Sequence, residues 1–476
     1  VPDDRGGGHH HDREHDHAAA AAHDGALTLE SRRNVELSLL LLALILSVGA
    51  YVVVGLVADN QVPAGTVGYG GTLAALFLGA HFVLRLRAPQ ADPVLLPSAA
   101  LLNGLGLVMI RRLDYTLDPD RAAQAPAQAV WTTLGFVVFA AVIVLVRDHR
   151  QLERYPFTWL LLGAGLLLAP LLPVLGREVN GARLWISFGG IQVQPAEAAK
   201  LALVIFFAAY LKEAKELLAT ATYRVGPLLL PEIKYFLPLL MAWGVSLLVL
   251  LFEKDLGSSV LFFGIFIVLL YVATGRFSYV AAGLVLFGVG ATFAYGFFAH
   301  VQVRVATWLD VWRYYGGRGF QLAQSLFALG TGGILGQGWN QGRPDFIPFA
   351  STDFIFAAFG EELGLVGTTA IVLVFLFMVF RGFRIALTAD DEFGKLLATG
   401  LVAGLGLQVF VILGGVTRLI PLTGITLPFV SYGGSSLLSN YALIALLCRI
   451  SADSAPPPPP PGEEMEPTTG EATVVR

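Results

Sequence analysis

Residues Leu39 to Val57 read LLLLALILSVGAYVVVGLV, without one charged side chain. A helix of this length spans close to 30 Å, the thickness of bilayer hydrocarbon. Such runs recur down the chain, near 35–57, 66–84, 94–110, 128–146, 156–175 and 196–211. A second set lies near 235–252, 256–274, 279–299, 354–380, 395–417 and 428–448. Only 14% of the 476 residues are charged and 55% are hydrophobic, whereas a soluble domain carries about 25% charged residues. Continuous apolar runs imply helices, because lipid satisfies no backbone hydrogen bond. The fold class is therefore an all-α polytopic membrane protein of about twelve spans, with no soluble catalytic domain.

The ends differ from the middle. Residues 1–34 form a polar leader holding His9, His10, His11, His15, His17 and His23. It reads as a disordered low-complexity tail, with a metal-binding tract as the alternative. The first apolar run is too long for a signal-peptide core. Residues 450–476, with Pro456 to Pro461 followed by Glu463, Glu464 and Glu466, read as a second disordered tail. Cys448 is the only cysteine, so no internal disulfide can form and redox compartment is unreadable.

Lysine and arginine placement sets orientation. With the N-terminus inside, sixteen of these residues near span ends face the cytoplasm, from Arg32 and Arg33 to Arg449. Seven lie in short outside loops, among them Arg111, Arg112, Arg183 and Arg418. Both termini are thus expected to be cytoplasmic. The loops carrying Arg183, Asp255, residues 300–353 and residues 418–431 then converge on the outer face. The 300–353 connection is long and rich in tryptophan, tyrosine and glycine, which marks a functional loop.

Ionisable groups at membrane depth are costly and point to function. Glu197 and Lys200 share a helix face three residues apart, after Pro195, as a structural ion pair or a functional one. Asp255 precedes a span in a very short turn, as an N-cap or a partly desolvated general base. Asp353 also fits a cap, and Glu361 and Glu362 lie deeper and need partners. Pro421 to Ser436, PLTGITLPFVSYGGSS, breaks the apolar pattern with two prolines and a Gly-Gly pair. Irregular backbone at that depth must be buried in protein or line a cavity, and Ser431, Ser435 and Ser436 favour a polar cavity.

Four stretches resemble the SEDS family (shape, elongation, division and sporulation), the group of RodA, FtsW and SpoVE. They are Gly181-Ala182-Arg183-Leu184-Trp185-Ile186 with Gln194-Pro195-Ala196-Glu197-Ala198-Ala199-Lys200, and Lys254-Asp255-Leu256-Gly257. The third runs from Gly319-Phe320-Gln321-Leu322-Ala323-Gln324-Ser325 through Thr352-Asp353-Phe354 to Gly360-Glu361-Glu362-Leu363-Gly364. The fourth is residues 420 to 436. Departures are Leu184 and Ala196, Phe349 and Ser351 where the family has Glu and His, and Ile412 where asparagine is usual. The resemblance covers roughly 94–449 and implies a ten-helix core. Residues 35–93 then add two N-terminal spans, an extension suggesting a RodA-like member of the high-GC Gram-positive lineage.

The resemblance implies a peptidoglycan glycosyltransferase that polymerises lipid II into β-1,4 glycan strands at the outer face of the bacterial cytoplasmic membrane, for elongation or division. It makes Asp255 the candidate catalytic base. Arg183, Trp185, Gln194, Glu197, Lys200, Gln324, Ser325, Arg343, Asp353, Ser431, Gly433 and Gly434 become candidate substrate-binding residues. Arg183, Arg304, Arg318, Arg343 and Arg418 are candidates for the leaving pyrophosphate. A divalent cation (Mg2+ or Mn2+) is an alternative to them, with no organic cofactor. Expected partners are a class B penicillin-binding protein, a transpeptidase, together with lipid II and membrane lipids, and no nucleic acid. Rival readings are a lipid II flippase or transporter, with Glu197, Lys200 and Glu361 as an intramembrane relay, and a non-enzymatic scaffold. No inverted repeat, which a transporter favours, is visible.

Overall fold

The computed structural model describes residues 29–116, 123–172, 175–179, 182–188, 191–219, 223–225, 228–230, 244 and 255–454. The expected span 235–252 apart from residue 244, residues 1–28 and 455–476 of the two expected tails, and Lys254 lie outside them, whereas residues 29–34 and 450–453, expected to be disordered, are helical. Helices α1 (Leu29–Asp59), α2 (Thr66–Arg87), α3 (Leu95–Asp114), α4 (Gln124–Leu145) and α5 (Pro156–Leu168) come first. After a small sheet, α6 (Pro195–Ala219) leads to α7 (Leu256–Thr274), α8 (Phe277–Phe297), α9 (Ala299–Leu309) and α10 (Phe320–Gly332). The chain closes with α11 (Ile355–Thr388), α12 (Glu392–Val416) and α13 (Gly434–Asp453). Eight described helices are long and apolar enough to cross a membrane. Helices α3 and α6 occupy two more expected spans, but their charges lower their hydropathy. Helix α5 is shorter than expected, because Pro170 stands where the next turns would form and a 3-10 turn, Ala169–Leu171, replaces them.

The protein is all-α and polytopic, with two small departures. Strands β1 (Gly176–Val179), β2 (Ala182–Phe188) and β3 (Ile191–Val193) form an antiparallel meander. Asn180-Gly181 and Gly189-Gly190 separate them in the sequence, and both pairs are hairpin signals. Strands β4 (Tyr223–Val225) and β5 (Leu228–Leu230) pair likewise. The 300–353 connection is not a plain loop, since it contains α9, α10 and a 3-10 turn, Pro344–Phe346.

Burial separates centre from rim. The apolar stretches of α12 and α13 are each 78% buried in protein, while that of α8 is 11% buried. Helix α12 packs on α6, α7 and α11, and α13 packs on α4. Small residues permit these approaches. A Cβ on Gly135 would lie 2.5 Å from the Tyr441 ring, and one on Gly382 would lie 2.5 Å from Val402. The extension α1–α2 is fixed by charge as well as by packing. Buried Arg33 binds Glu36 and the Ala91 carbonyl, and Glu36 also meets His81 Nδ1 at 2.7 Å.

Helix α11 is broken at Gly364, where φ is 64°. A Cβ there would sit 2.3 Å from the Gly336 nitrogen, so the break needs glycine. Residues 333–338 run along the break like a strap. Gln337 and Gly338 N–H donate to the Glu361 and Glu362 carbonyls (both 2.9 Å), and Leu365 N–H donates to Gly333 O (2.9 Å). The Glu362 carboxylate is buried and accepts from Arg112 Nε at 2.6 Å and from Asn340 N–H at 3.0 Å. Glu361 accepts from the Arg343 backbone N–H at 2.9 Å.

At the opposite end of the bundle, His149 is fully buried between two carboxylates. Its Nδ1 lies 2.9 Å from Asp453, and its Nε2 lies 2.8 Å from Asp391, the N-cap of α12. Burial alone lowers the His149 pKa, but the bonds to Asp453 and Asp391 outweigh it and raise the value above 6.5. The Asp391 pKa is lowered, because bonds from Gly394 N–H and His149 exceed its burial cost.

Two outcomes are expected. Breaking the buried Arg112–Glu362 pair by Arg112→Met costs about 3–5 kcal/mol, read as thermal stability in detergent, and adding Glu362→Leu recovers part of it. The His149 contribution is present below the unfolded histidine pKa and is lost as pH rises through the raised folded value. The Asp391 contribution is lost as pH falls towards its lowered pKa. Melting temperature should therefore decline on the alkaline side of His149 titration in wild type, and His149→Gln should flatten that decline.

Candidate active site at the irregular segment

Between α12 and α13 the chain runs from Thr417 to Gly433 without regular structure. Arg418, Gly424 and Phe429 have φ of 61°, 77° and 64°, so no helix can pass through them. The backbone groups this exposes at membrane depth are met by side chains from around the bundle. Asn103 on α3 donates to Phe429 O (3.2 Å), and Gln128 on α4 bridges Ser431 O and Gly433 N–H (both 3.2 Å). Gln408 on α12 donates to Thr426 O at 3.0 Å. Ser431 Oγ accepts from Leu427 N–H and donates to Thr352 O at 2.6 Å.

Helix α9 clasps the start of the segment. Trp308 Nε1 donates to Arg418 O (3.1 Å), and Arg418 donates back to the Trp308 and Leu309 carbonyls. One turn earlier on α9, Arg304 Nη1 donates to Thr423 O at 2.7 Å and to Leu422 O at 3.3 Å.

Asp255 lies against this same stretch. It is 6% exposed and caps α7, accepting from Ser258 N–H at 3.0 Å and from Ser258 Oγ at 2.6 Å. The next residue but one, Gly257, meets residues 423–425 so closely that a Cβ would lie 2.4 Å from Ile425 Cγ2. Burial raises the Asp255 pKa, against the Ser258 bonds and the Arg304 charge, and Glu197 raises it further. Asp353, just before α11, is pushed up to about 6 by burial, with Thr352 and Arg304 opposing. Arg304 sits in the field of both acids; burial lowers its pKa and the two carboxylates hold it up. Its Nη2 and the Asp353 carboxylate are each 3.7 Å from the Cβ position of Gly424.

Glu197 and Lys200 belong to the same end. Lys200 Nζ donates to Glu197 at 2.9 Å and to Gln408 Oε1 at 2.8 Å, so the pair reaches the segment through Gln408. Gln194 N–H donates to Ser435 Oγ at 2.8 Å, and Ser439 Oγ donates to Glu197 O at 2.7 Å. Gly433 and Gly434 start α13, and a Cβ on Gly434 would lie 2.2 Å from the Trp131 ring.

Other candidates sit apart from Asp255. Arg183 is exposed on β2, and Trp185 follows it on the same strand face. Ser325 is fully buried, with its hydroxyl given to Val416 O at 3.1 Å. Gln324 Nε2 reaches Tyr315 at 3.4 Å. Arg343 is exposed, stacks on Phe346 and pairs with Asp345 at 3.2 Å. Among the described residues, Glu361 bonds to Arg343, and Glu197 and Lys200 bond to Ser439 and Gln408; no bond joins the two groups into a relay.

The comparisons with known proteins meet this geometry. The family pattern of the FtsW, RodA and SpoVE cell cycle proteins matches residues 93–455. This chain belongs to that family. Helices α1 and α2 precede the family region. The peptidoglycan glycosyltransferase RodA of Mycobacterium tuberculosis is 48% identical over 451 residues, covering 94% of this chain and 96% of that protein. Stage V sporulation protein E of Bacillus subtilis is 35% identical, over 76% of this chain and 95% of its own. Among solved structures, a chain described under the structural coordination of polymerization and crosslinking by a peptidoglycan synthase complex superposes with a TM-score of 0.61. It shares 27% identity and covers 76% of this chain and 98% of itself. The rod shape determining protein RodA of Thermus thermophilus gives a TM-score of 0.52 at 26% identity, over 77% and 98% of the two chains.

Gly257→Val should displace the 423–425 stretch and with it Arg304. The expected result is a folded, stable protein whose cysteine-labelling rate at an introduced Thr423→Cys rises several-fold over the same label in the parent.

Proposed function

We propose that this chain is an inverting peptidoglycan glycosyltransferase that polymerises lipid II into β-1,4 glycan at the outer face of the bacterial cytoplasmic membrane, with both termini cytoplasmic. The observation that carries it is the buried Asp255 carboxyl, held by Ser258 within the field of the Arg304 charge, in a chain of this family. The 4-hydroxyl of the acceptor sugar attacks the anomeric carbon of the donor, and Asp255 takes the hydroxyl proton. The bond to pyrophosphate breaks, and the undecaprenyl pyrophosphate carries the electron pair away. Direct displacement inverts the centre and needs one base but no second nucleophilic carboxylate.

Burial suits Asp255 to this task, since a base with a raised pKa is a better proton acceptor at working pH. Its two bonds to Ser258 fix the carboxylate without neutralising it. Arg304 supplies positive charge for the leaving group: Nη1 is anchored on two carbonyls, and no acceptor among the described residues holds Nη2. Preorganised charge of this kind costs no reorganisation during the reaction. A Mg2+ or Mn2+ ion also fits, because such ions use one or two protein carboxylates plus substrate phosphates. Asp353 would hold it, where it would neutralise pyrophosphate. The one described set of three metal-type groups within 4.8 Å, Asp148, His149 and Asp453, lies at the other end.

The partner in this proposal is a class B penicillin-binding protein, whose transpeptidase crosslinks the strands made here. The family's pairing of polymerization with crosslinking in a solved complex supports it.

Reconstitution with purified lipid II tests the reading. Asp255→Asn should lower polymer formation about 10²–10⁴-fold with unchanged melting temperature; undiminished polymer would remove Asp255 as the base, and no polymer from the wild-type complex would favour a transporter or scaffold. Because the base must be ionised, activity falls as pH drops, with an acid limb above the ordinary carboxylate range. Ser258→Ala removes a bond that lowers the Asp255 pKa, so it should move that limb to higher pH.

A further inference from the structure

The extension and the core border an open cavity of about 470 Å3, lined by Tyr51 of α1, Gly65, Tyr69 of α2, Leu107 and Arg111 of α3, and Pro126 of α4, among others. It lies outside the Asp255 cluster but at the same end of the bundle, since α4 carries Gln128 to the irregular segment. Its size matches that of small-ligand sites, which combine apolar walls with a few placed polar groups.

The polar group is Arg111. Its guanidinium lies 4.4 Å from the centre of the Tyr51 ring and 5.6 Å from that of Tyr115. Tyr51 is itself stacked on Tyr69, with ring centres 4.3 Å apart. Stacking holds the flat face of the guanidinium and leaves its N–H edge for a ligand. Nη2 donates weakly to the Tyr115 hydroxyl at 3.2 Å, while Nε is buried with no hydrogen-bond partner. That atom is out of reach of the cavity, but no described carboxylate forms an ion pair with Arg111, so its charge on the cavity wall is left for an anion. The nearest carboxylate is not that anion. Asp114 spends both oxygens on the Gln124 and Ala125 N–H groups, at 2.9 and 2.8 Å, capping the start of α4. Asp59 is reached only through Tyr115, at 3.5 Å.

The surroundings decide which anion. Val67, two residues after Gly65, is 85% exposed, and Val130, on α4 beyond Pro126, is 61% exposed. Apolar side chains so bare, on helices of membrane-spanning composition, face acyl chains. A ligand that offers oxygens to Arg111 while its body lies along such residues is a phospholipid. We propose that this cavity binds the phosphate headgroup of an anionic membrane lipid, with Arg111 as the phosphate ligand and the tyrosines as its frame. The lipid would then cement the two-helix extension to the family core.

Native mass spectrometry of the full chain in detergent tests this, with phosphatidylglycerol as the probe and the corresponding diacylglycerol, which lacks phosphate, as the control. Wild type should bind phosphatidylglycerol at least about tenfold more tightly than Arg111→Gln, with Arg111→Lys between them and no difference for diacylglycerol. Ala129→Phe, which fills the cavity from α4 while keeping Arg111 and the Tyr51 ring, should also lose binding. Melting curves matching wild type in the absence of added lipid show that the variants fold. Equal phosphatidylglycerol binding by Arg111→Gln, or diacylglycerol binding as tight as phosphatidylglycerol, overturns the proposal. Complete displacement by millimolar inorganic phosphate, with no further preference for the lipid, overturns the lipid as the source and leaves a free-phosphate site.

Discussion

A backbone without helix or sheet has to find hydrogen bonds, and inside a bilayer it must find them in protein. The stretch from Thr417 to Gly433 imposes that demand, and much of the molecule is arranged to meet it. Asn103, Gln128, Gln408, Arg304 and Ser431 come from different parts of the chain and each serves a peptide group in or beside it. Polar residues in α3, α4 and α12 that look like liabilities in a span are the donors and acceptors that make the irregular path tenable. The catalytic proposal rests on this scaffold, because the same path carries Thr423 and Ile425 against Gly257 and fixes Arg304 beside Asp255.

The electrostatics follow from the scaffold. Buried Asp255 and half-buried Asp353 both lie in the field of Arg304, which lowers the pKa of each acid while both acids raise that of the arginine. Burial raises the pKa of both carboxylates, opposed by the Ser258 and Thr352 bonds and then by the Arg304 charge. Cap and base are compatible roles for Asp255. The bonds from Ser258 aim the carboxylate, and aiming is what a general base needs before its proton affinity matters.

Most helices were legible because long apolar runs leave few alternatives. The sequence also pointed to Asp255, Asp353, Glu197, Lys200 and Arg304 as individual residues, through charge in apolar context or through family motifs. It did not reveal that the Arg304 charge acts on both aspartates, because α9 hides inside a connection without membrane-like periodicity. The Arg112–Glu362 pair, 250 positions apart, was equally invisible; a partner for Glu362 was foreseeable, its identity was not. Ser325, a candidate for substrate from its motif, is buried and gives its hydroxyl to Val416 O, a partner the sequence does not show. The β1–β2–β3 meander was missed although Asn180-Gly181 announced it, since attention to span-length patterns passes over strands of three to seven residues.

The strap over the break in α11 bears on how the chain enters the membrane. Chains are made from the N-terminus, and earlier parts begin to settle first. Arg112, Asn340 and Arg343 all precede Glu361 and Glu362 in synthesis. When α11 emerges, the cation and the N–H groups that its acids require are already available to receive them. The order of the sequence thus spares the bilayer two naked carboxylates, and makes late insertion of this helix the step that locks the earlier ones together.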